Sequence, residues 1–147
     1  MRALSRSFLI AAALLLASGP ARAEVLTAED AQALAARGAL TLVDVRLPSE
    51  WAETGLPAGA EGVSLQDSLT HEVRSGFVDD VLRAVGGDKD RPIALICARG
   101  NRSAFARELL AEAGFSRVDD VGEGMAGSGN SPGWLARGLP TERCRSC

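Results

Sequence analysis

Apolar positions in this chain follow two rhythms. Residues 40–45 and 92–97 are short, nearly unbroken apolar runs with β-branched members, and they predict buried strands. Residues 117–121 predict another strand, and residues 63–65 a brief one. Phe77, Val78, Val81, Leu82 and Val85 recur at helical spacing. They predict an amphipathic helix over 75–85, ended by Gly86-Gly87. Phe105, Leu109, Leu110 and Ala113 make the apolar face of a helix over 103–113, stopped by Gly114. Near the start, Thr27-Ala28-Glu29-Asp30 is similar to a capping box with Asp in its last place, and opens a short helix that stops at Gly38. Residues 49–53 predict a single helical turn, and Trp134-Leu135 a final short helix. Residues 55–62, with Pro57 and Gly59, and residues 122–133, with five glycines, predict loops.

Strands that alternate with helices predict an α/β domain with a central parallel β-sheet flanked by helices on both faces. Ligands of such sheets bind beyond the carboxyl ends of the strands. Cys97 lies at one such end, and Val45 and Arg46 lie at another.

The first residues carry a different pattern. Arg2 and Arg6 precede an apolar stretch over 8–17, Ser18-Gly19-Pro20 breaks it, and Ala21-Arg22-Ala23 offers a small-residue cleavage point. This is the layout of a secretory signal peptide over 1–23. The stretch is too short to span a bilayer comfortably. The expected product is an exported chain, periplasmic or secreted, with no stable membrane association after cleavage. It holds a single domain over 24–141 and a tail over 142–147. The intact chain has a formal charge of −3, and losing three arginines and no acid leaves −6. That balance argues against nucleic acid or an anionic membrane as partner.

Positive charge is instead local. Cys97-Ala98-Arg99-Gly100-Asn101-Arg102-Ser103 joins a strand to a helix and carries two arginines. A cysteine there sits at a helix N-terminus, where unpaired N–H groups and the dipole favour an anion. Loop amides add an anion-binding concavity. Each effect lowers a thiol pKa, and the thiolate is the nucleophile. The expected partner is a small anionic molecule.

Cys97, Gly100, Arg102 and Ser103 resemble the active-site loop of the rhodanese sulfurtransferases. Leu42-Val43-Asp44-Val45-Arg46, followed by Glu50-Trp51, is similar to the first signature of that family. Gly114-Phe115 and Val121-Gly122-Glu123-Gly124-Met125, ending in Trp134, resemble its last. The resemblance covers about residues 27–140. It implies a rhodanese-like fold and a sulfurtransferase in which Cys97 takes a sulfane sulfur from a small anionic donor, with thiosulfate expected first. A thiol, a protein sulfur acceptor or cyanide would then receive it. Ala98, Arg99, Gly100, Asn101, Arg102 and Ser103 would bind the substrate and the persulfide. Arg99 and Arg102 would hold the anionic donor, and Ser103 would hydrogen-bond sulfur or cap the helix. Asp44 and Arg46 are expected to brace the loop, and Arg102 to be shared with Asp44 or a neighbouring acid. Cysteine phosphatases resemble this arrangement but have five residues between cysteine and arginine; here there are four. The shorter loop makes a smaller cradle, so a phosphatase or arsenate reductase is the less favoured reading.

Cys144-Arg145-Ser146-Cys147 departs from the family pattern. Cys144 and Cys147 are expected either to form a local disulfide or to resolve the Cys97 persulfide. The second possibility supports an alternative function, a sulfur carrier or redox relay acting with a partner protein. His71, the single histidine, is expected in a solvated loop, and Trp51 and Trp134 in packing. No cluster has metal-ligand spacing, and one C-x-x-C supplies only two of the four ligands of a structural zinc. No metal or organic cofactor is expected.

Overall fold

The computed structural model describes residues 23–144. Residues 1–22 of the expected signal segment, and Cys147, lie outside the described residues. The strands are β1 (Val25–Leu26), β2 (Thr41–Asp44), β3 (Leu56–Pro57), β4 (Glu61–Gly62), β5 (Ile93–Ile96), β6 (Val118–Val121) and β7 (Thr141–Glu142). The helices are α1 (Ala28–Ala36), α2 (Pro48–Thr54), α3 (Phe77–Ala84), α4 (Asn101–Glu112) and α5 (Gly133–Ala136). Among the described residues, five strands form one sheet in the order β1-β6-β5-β2-β4, with every neighbouring pair parallel. The predicted α/β fold with a parallel central sheet is therefore the observed one.

Side-chain alternation along the strands divides the core in two. Val43, Val45, Ile93, Leu95, Cys97 and Val118 face one side, where Phe77 and Val81 of α3 and Ala106 and Leu110 of α4 cover them. Leu42, Ala94, Ile96 and Val121 face the other, against Ala28 and Ala31 of α1 and Trp134 of α5. Helices thus cover both faces. Ile93, Ala94, Leu95 and Ile96 are all fully buried, which is why β5 reads as an unbroken apolar run.

Some elements differ from the sequence expectation. The strand expected at 63–65 lies two residues earlier, as β4. Val63 and Leu65 still donate backbone hydrogen bonds to Asp44 and Val45, so the chain leaves the sheet gradually. Residues 55–62 hold β3 and β4 as well as loop, and β3 pairs antiparallel with β7. That pairing ties the residues at the start of the expected tail to the body of the domain. Helix α4 begins at Asn101, not Ser103. Its N-cap is Gly100, in a left-handed conformation and with no side-chain cap. Among the described residues, no helix is long and apolar enough to cross a membrane.

The strand order reverses between β2 and β5. From β2 the chain moves outward to β4, then returns to the other side of β2 as β5. This is a topological switch point, and the carboxyl ends of β2 and β5 open there.

Candidate functional site

Cys97 follows directly on β5 at that switch point. It is 1% exposed and is a free cysteine. The Gly100 N–H donates to its Sγ at 3.1 Å, and the Ser103 hydroxyl stands 3.4 Å from the same atom. Ser103 lies within the first turn of α4 and also donates toward the Gly100 carbonyl at 3.1 Å. It therefore contacts sulfur, and it does not cap the helix. Because α4 starts early, the connecting loop is residues 97–100, and Asn101 and Arg102 are helical. Asn101 is exposed.

The loop is held from behind. Met125 N–H donates to the Cys97 carbonyl and Ala126 N–H to the Ala98 carbonyl, both at 2.8 Å. The exposed Arg99 reaches across the same gap to the Gly127 carbonyl at 3.3 Å. The glycine-rich segment after β6 is thus the floor of the Cys97 loop. Glu123 anchors that segment. It accepts from Ala28 N–H at 2.7 Å, Gly133 N–H at 2.8 Å and Arg137 at 3.1 Å. Burial opposes its ionisation, but these donors outweigh that and hold its carboxyl below the ordinary glutamate range.

Arg102 faces an acid other than Asp44. Its two terminal nitrogens bind the two Glu50 oxygens at 2.7 and 2.8 Å, in a paired fork. The Glu50 fork raises the Arg102 pKa against its burial, and the nearby Cys97 and Asp44 add to the rise. Glu50 also accepts from the Leu47 N–H at 2.9 Å, so one carboxylate links the start of α2 to the start of α4. Asp44 and Arg46 form a separate, buried pair with a 2.7 Å contact. Arg46 continues to the Thr54 hydroxyl and the Gly55 carbonyl, both at 2.8 Å. Through these bonds the pair braces the C-terminal end of α2 against β2, and the Asp44 charge also acts on Arg102. Sequence reasoning placed Glu50 in a signature but gave it no role; a partner 52 positions away leaves no local trace.

Burial resists ionisation of Glu50, and the Arg102 hydrogen bonds, the Leu47 N–H and the Arg102 and Arg46 charges overcome it, so its pKa is lowered. The stability it contributes is complete above the ordinary glutamate value of about 4.3, and is lost as pH falls through the lower folded value. Glu50→Gln should therefore cost about 1 kcal/mol or less at neutral pH, since the pair is partly solvated. In denaturant titrations across pH, the gap between wild type and variant should close in acid. A gap unchanged down to acid pH would remove the ionic fork from the account.

Cys144 is disulfide-bonded. With Asp67, Leu69 and Thr70, His71 belongs to an exposed turn, and it takes a positive φ of 60°. Trp51 and Trp134 are buried, as expected of packing residues.

A buried free thiol thus stands at the turn from a parallel strand into a helix, with the Gly100 N–H and the Ser103 hydroxyl on its sulfur. Residues 27–128 match the Rhodanese-like domain model, and the chain belongs to that family. Over 74 residues it is 35% identical to the thiosulfate sulfurtransferase GlpE of Actinobacillus pleuropneumoniae, spanning 50% of this chain and 57% of that one. Among solved structures it is similar to Rv0390 from M. tuberculosis, with a TM-score of 0.65 and 26% identity, over 84% of this chain and 99% of the other. It also resembles the polysulfide-sulfur transferase homodimer from Wolinella succinogenes, with a TM-score of 0.61 and 27% identity, over 84% and 81% of the two chains. A sulfurtransferase-type role, with a sulfur donor and an acceptor, follows from the family and these relatives.

Proposed function

We propose that this protein is an exported sulfurtransferase that carries sulfane sulfur as a Cys97 persulfide, with thiosulfate as its donor. The observation that carries the reading is the Cys97 sulfur itself, free, buried and met by the Gly100 N–H and the Ser103 hydroxyl. Donors aimed at one atom stabilise an anion there, as in an oxyanion hole. In the first half-reaction the Cys97 thiolate attacks the outer sulfur of thiosulfate. The bond from that sulfur to the sulfonate sulfur breaks, sulfite leaves with the electron pair, and Cys97 keeps a persulfide anion. In the second, a nucleophilic acceptor attacks the terminal sulfur. Cyanide leaves as thiocyanate, or a thiolate leaves as its persulfide, and the Cys97 thiolate returns.

Arg99, exposed within the loop, supplies positive charge for the donor's sulfonate. Arg102 is already committed to Glu50 and acts mainly by holding α4 against α2. The donor named for the relative GlpE supports thiosulfate, and the polysulfide-sulfur transferase supports a sulfane-sulfur substrate class. The pattern of residues 1–23 supports export to a periplasm or the exterior.

Two half-reactions on one nucleophile predict ping-pong kinetics. Initial rates of thiocyanate formation, measured against thiosulfate at several fixed cyanide concentrations, should give parallel double-reciprocal lines. Intersecting lines would exclude a persulfide that outlives the departure of sulfite.

A further inference from the structure

Ala23 and Glu24, on either side of the expected cleavage point, are both exposed and lie outside any helix or strand. β1 follows at once. It is an edge strand of the sheet, with Val25 level with Asp120 and Leu26 level with Val121. The Asp120 N–H donates to the Glu24 carbonyl at 2.9 Å, so the backbone of Glu24 is fixed as well. The Glu24 N–H donates to Asp119 Oδ1, also at 2.9 Å. Asp119 lies between Val118 and Asp120 in β6, and alternation turns it to the side of the sheet that Val121 and α1 share.

The nitrogen that meets Asp119 is the one that cleavage after Ala23 would free. Within the intact chain it is a neutral amide with one hydrogen. As a chain end it is an amine, and its ordinary pKa of about 7.7–8.0 keeps it mostly protonated at neutral pH. An ammonium facing a carboxylate makes a charge-assisted hydrogen bond, stronger than the bond from an amide. Chain ends are poorly ordered unless tied down, and β1 has only two residues to do so.

We propose that the Ala23–Glu24 bond is a processing site whose cleavage seats the new, charged N-terminus on Asp119. A peptidase that reads small residues ahead of the bond adds water across it. The C–N bond breaks, Ala23 leaves as a carboxylate, and Glu24 keeps the nitrogen as an amine that takes up the proton the acid releases. The ammonium then stands where the amide stood, and β1 keeps its register on β6. Processing thus converts a neutral contact at the sheet edge into an ion pair.

A cavity of about 420 Å³ opens beside this contact, and its charged lining is Glu24, Arg37, Arg117 and Asp119. Arg37 follows α1, and Arg117 precedes β6. Both arginines oppose an ammonium here, and the two carboxylates favour it. Of the two acids, Asp119 is the one that the Glu24 nitrogen reaches. Asp120 turns to the opposite face of β6.

The inference rests on the export reading of residues 1–23, and its test separates the two. Protein is recovered from the exported fraction of cells that produce the full chain, and its intact mass is measured. Loss of residues 1–23 is expected, and an exported chain that keeps them or is cut at another bond would overturn the inference. The Glu24 amine of the processed protein is then titrated by NMR, in the wild type and in Asp119→Asn. Its pKa should fall by about half a pH unit in the variant, as expected for an exposed ion pair. Equal values in the two proteins would overturn the seat on Asp119. If Asp119→Asn does not fold, the wild-type amine is titrated at low salt and in about 1 M salt, where screening should lower its pKa. A value that rises or stays the same would overturn the seat. A chain found only inside the cell with residues 1–23 in place removes the export reading and this inference together. A chain cut after Ala23 whose amine ignores Asp119 removes the seat alone. Neither result touches sulfur uptake by Cys97.

Discussion

Cys97→Ser should abolish sulfur transfer while leaving the fold in place. The substitution exchanges one atom in a buried, well-packed position, so secondary structure and unfolding midpoint should stay close to wild type. The chemistry does not survive it. A serine oxygen is protonated at neutral pH, has no adjacent base among its contacts, and cannot form a persulfide. Thiocyanate production from thiosulfate and cyanide should fall at least about a thousandfold, equivalent to about 4 kcal/mol of transition-state stabilisation. Cys144 is disulfide-bonded and offers no thiol to replace Cys97. Residual activity within about tenfold of wild type would mean that another group carries the sulfur.

Gly100→Ala should damage stability and activity together. Gly100 has φ of +90° and caps α4. A Cβ there would run into the Gly122 carbonyl oxygen of the loop floor. The left-handed backbone alone costs of order 1–3 kcal/mol for a residue with a side chain. Overpacking against backbone adds roughly 1–3 kcal/mol more. Relief requires the 97–100 loop to lift, which takes the Gly100 N–H away from Sγ. Gly86→Ala is the matched control, since Gly86 has φ of +70° but open space around its Cα. Gly86→Ala should lower the denaturant midpoint modestly and spare sulfur transfer. Equal effects from the two variants would show that backbone conformation, and not the close approach to Gly122, explains the Gly100 result.

What the sequence made legible follows from what is local. The β5–Cys97–α4 unit was readable because a fully buried strand is apolar at every position and a helix follows it, but the buried face of α4 is Ser103, Ala106 and Leu110, while Phe105, expected on that face, is exposed. The start of α4 was misplaced by two residues for a physical reason. Asn101 and Arg102 are polar and add nothing to the apolar period, and Gly100 caps the helix by its backbone, leaving no Ser, Thr or Asp signal. Strands β1, β3 and β7 have two residues each and exist only because a partner pairs with them. The long-range polar links were also invisible. The Glu50–Arg102 fork and the Glu123 anchor on Ala28 each join separate elements. A pair such as Asp44 and Arg46, two residues apart at a strand end, was close enough in sequence to suggest itself. Its further hydrogen bonds, to Thr54 and Gly55 at the end of α2, are not marked by any local pattern.

In the proposed function Cys97 bears the transferred sulfur. Intact-mass analysis of the purified protein, before and after thiosulfate and again after cyanide, tests it most directly. The protein should gain one sulfur atom, located on the Cys97 peptide and removed by cyanide as thiocyanate. No gain from thiosulfate, with Cys97 still present as the free thiol, would contradict it.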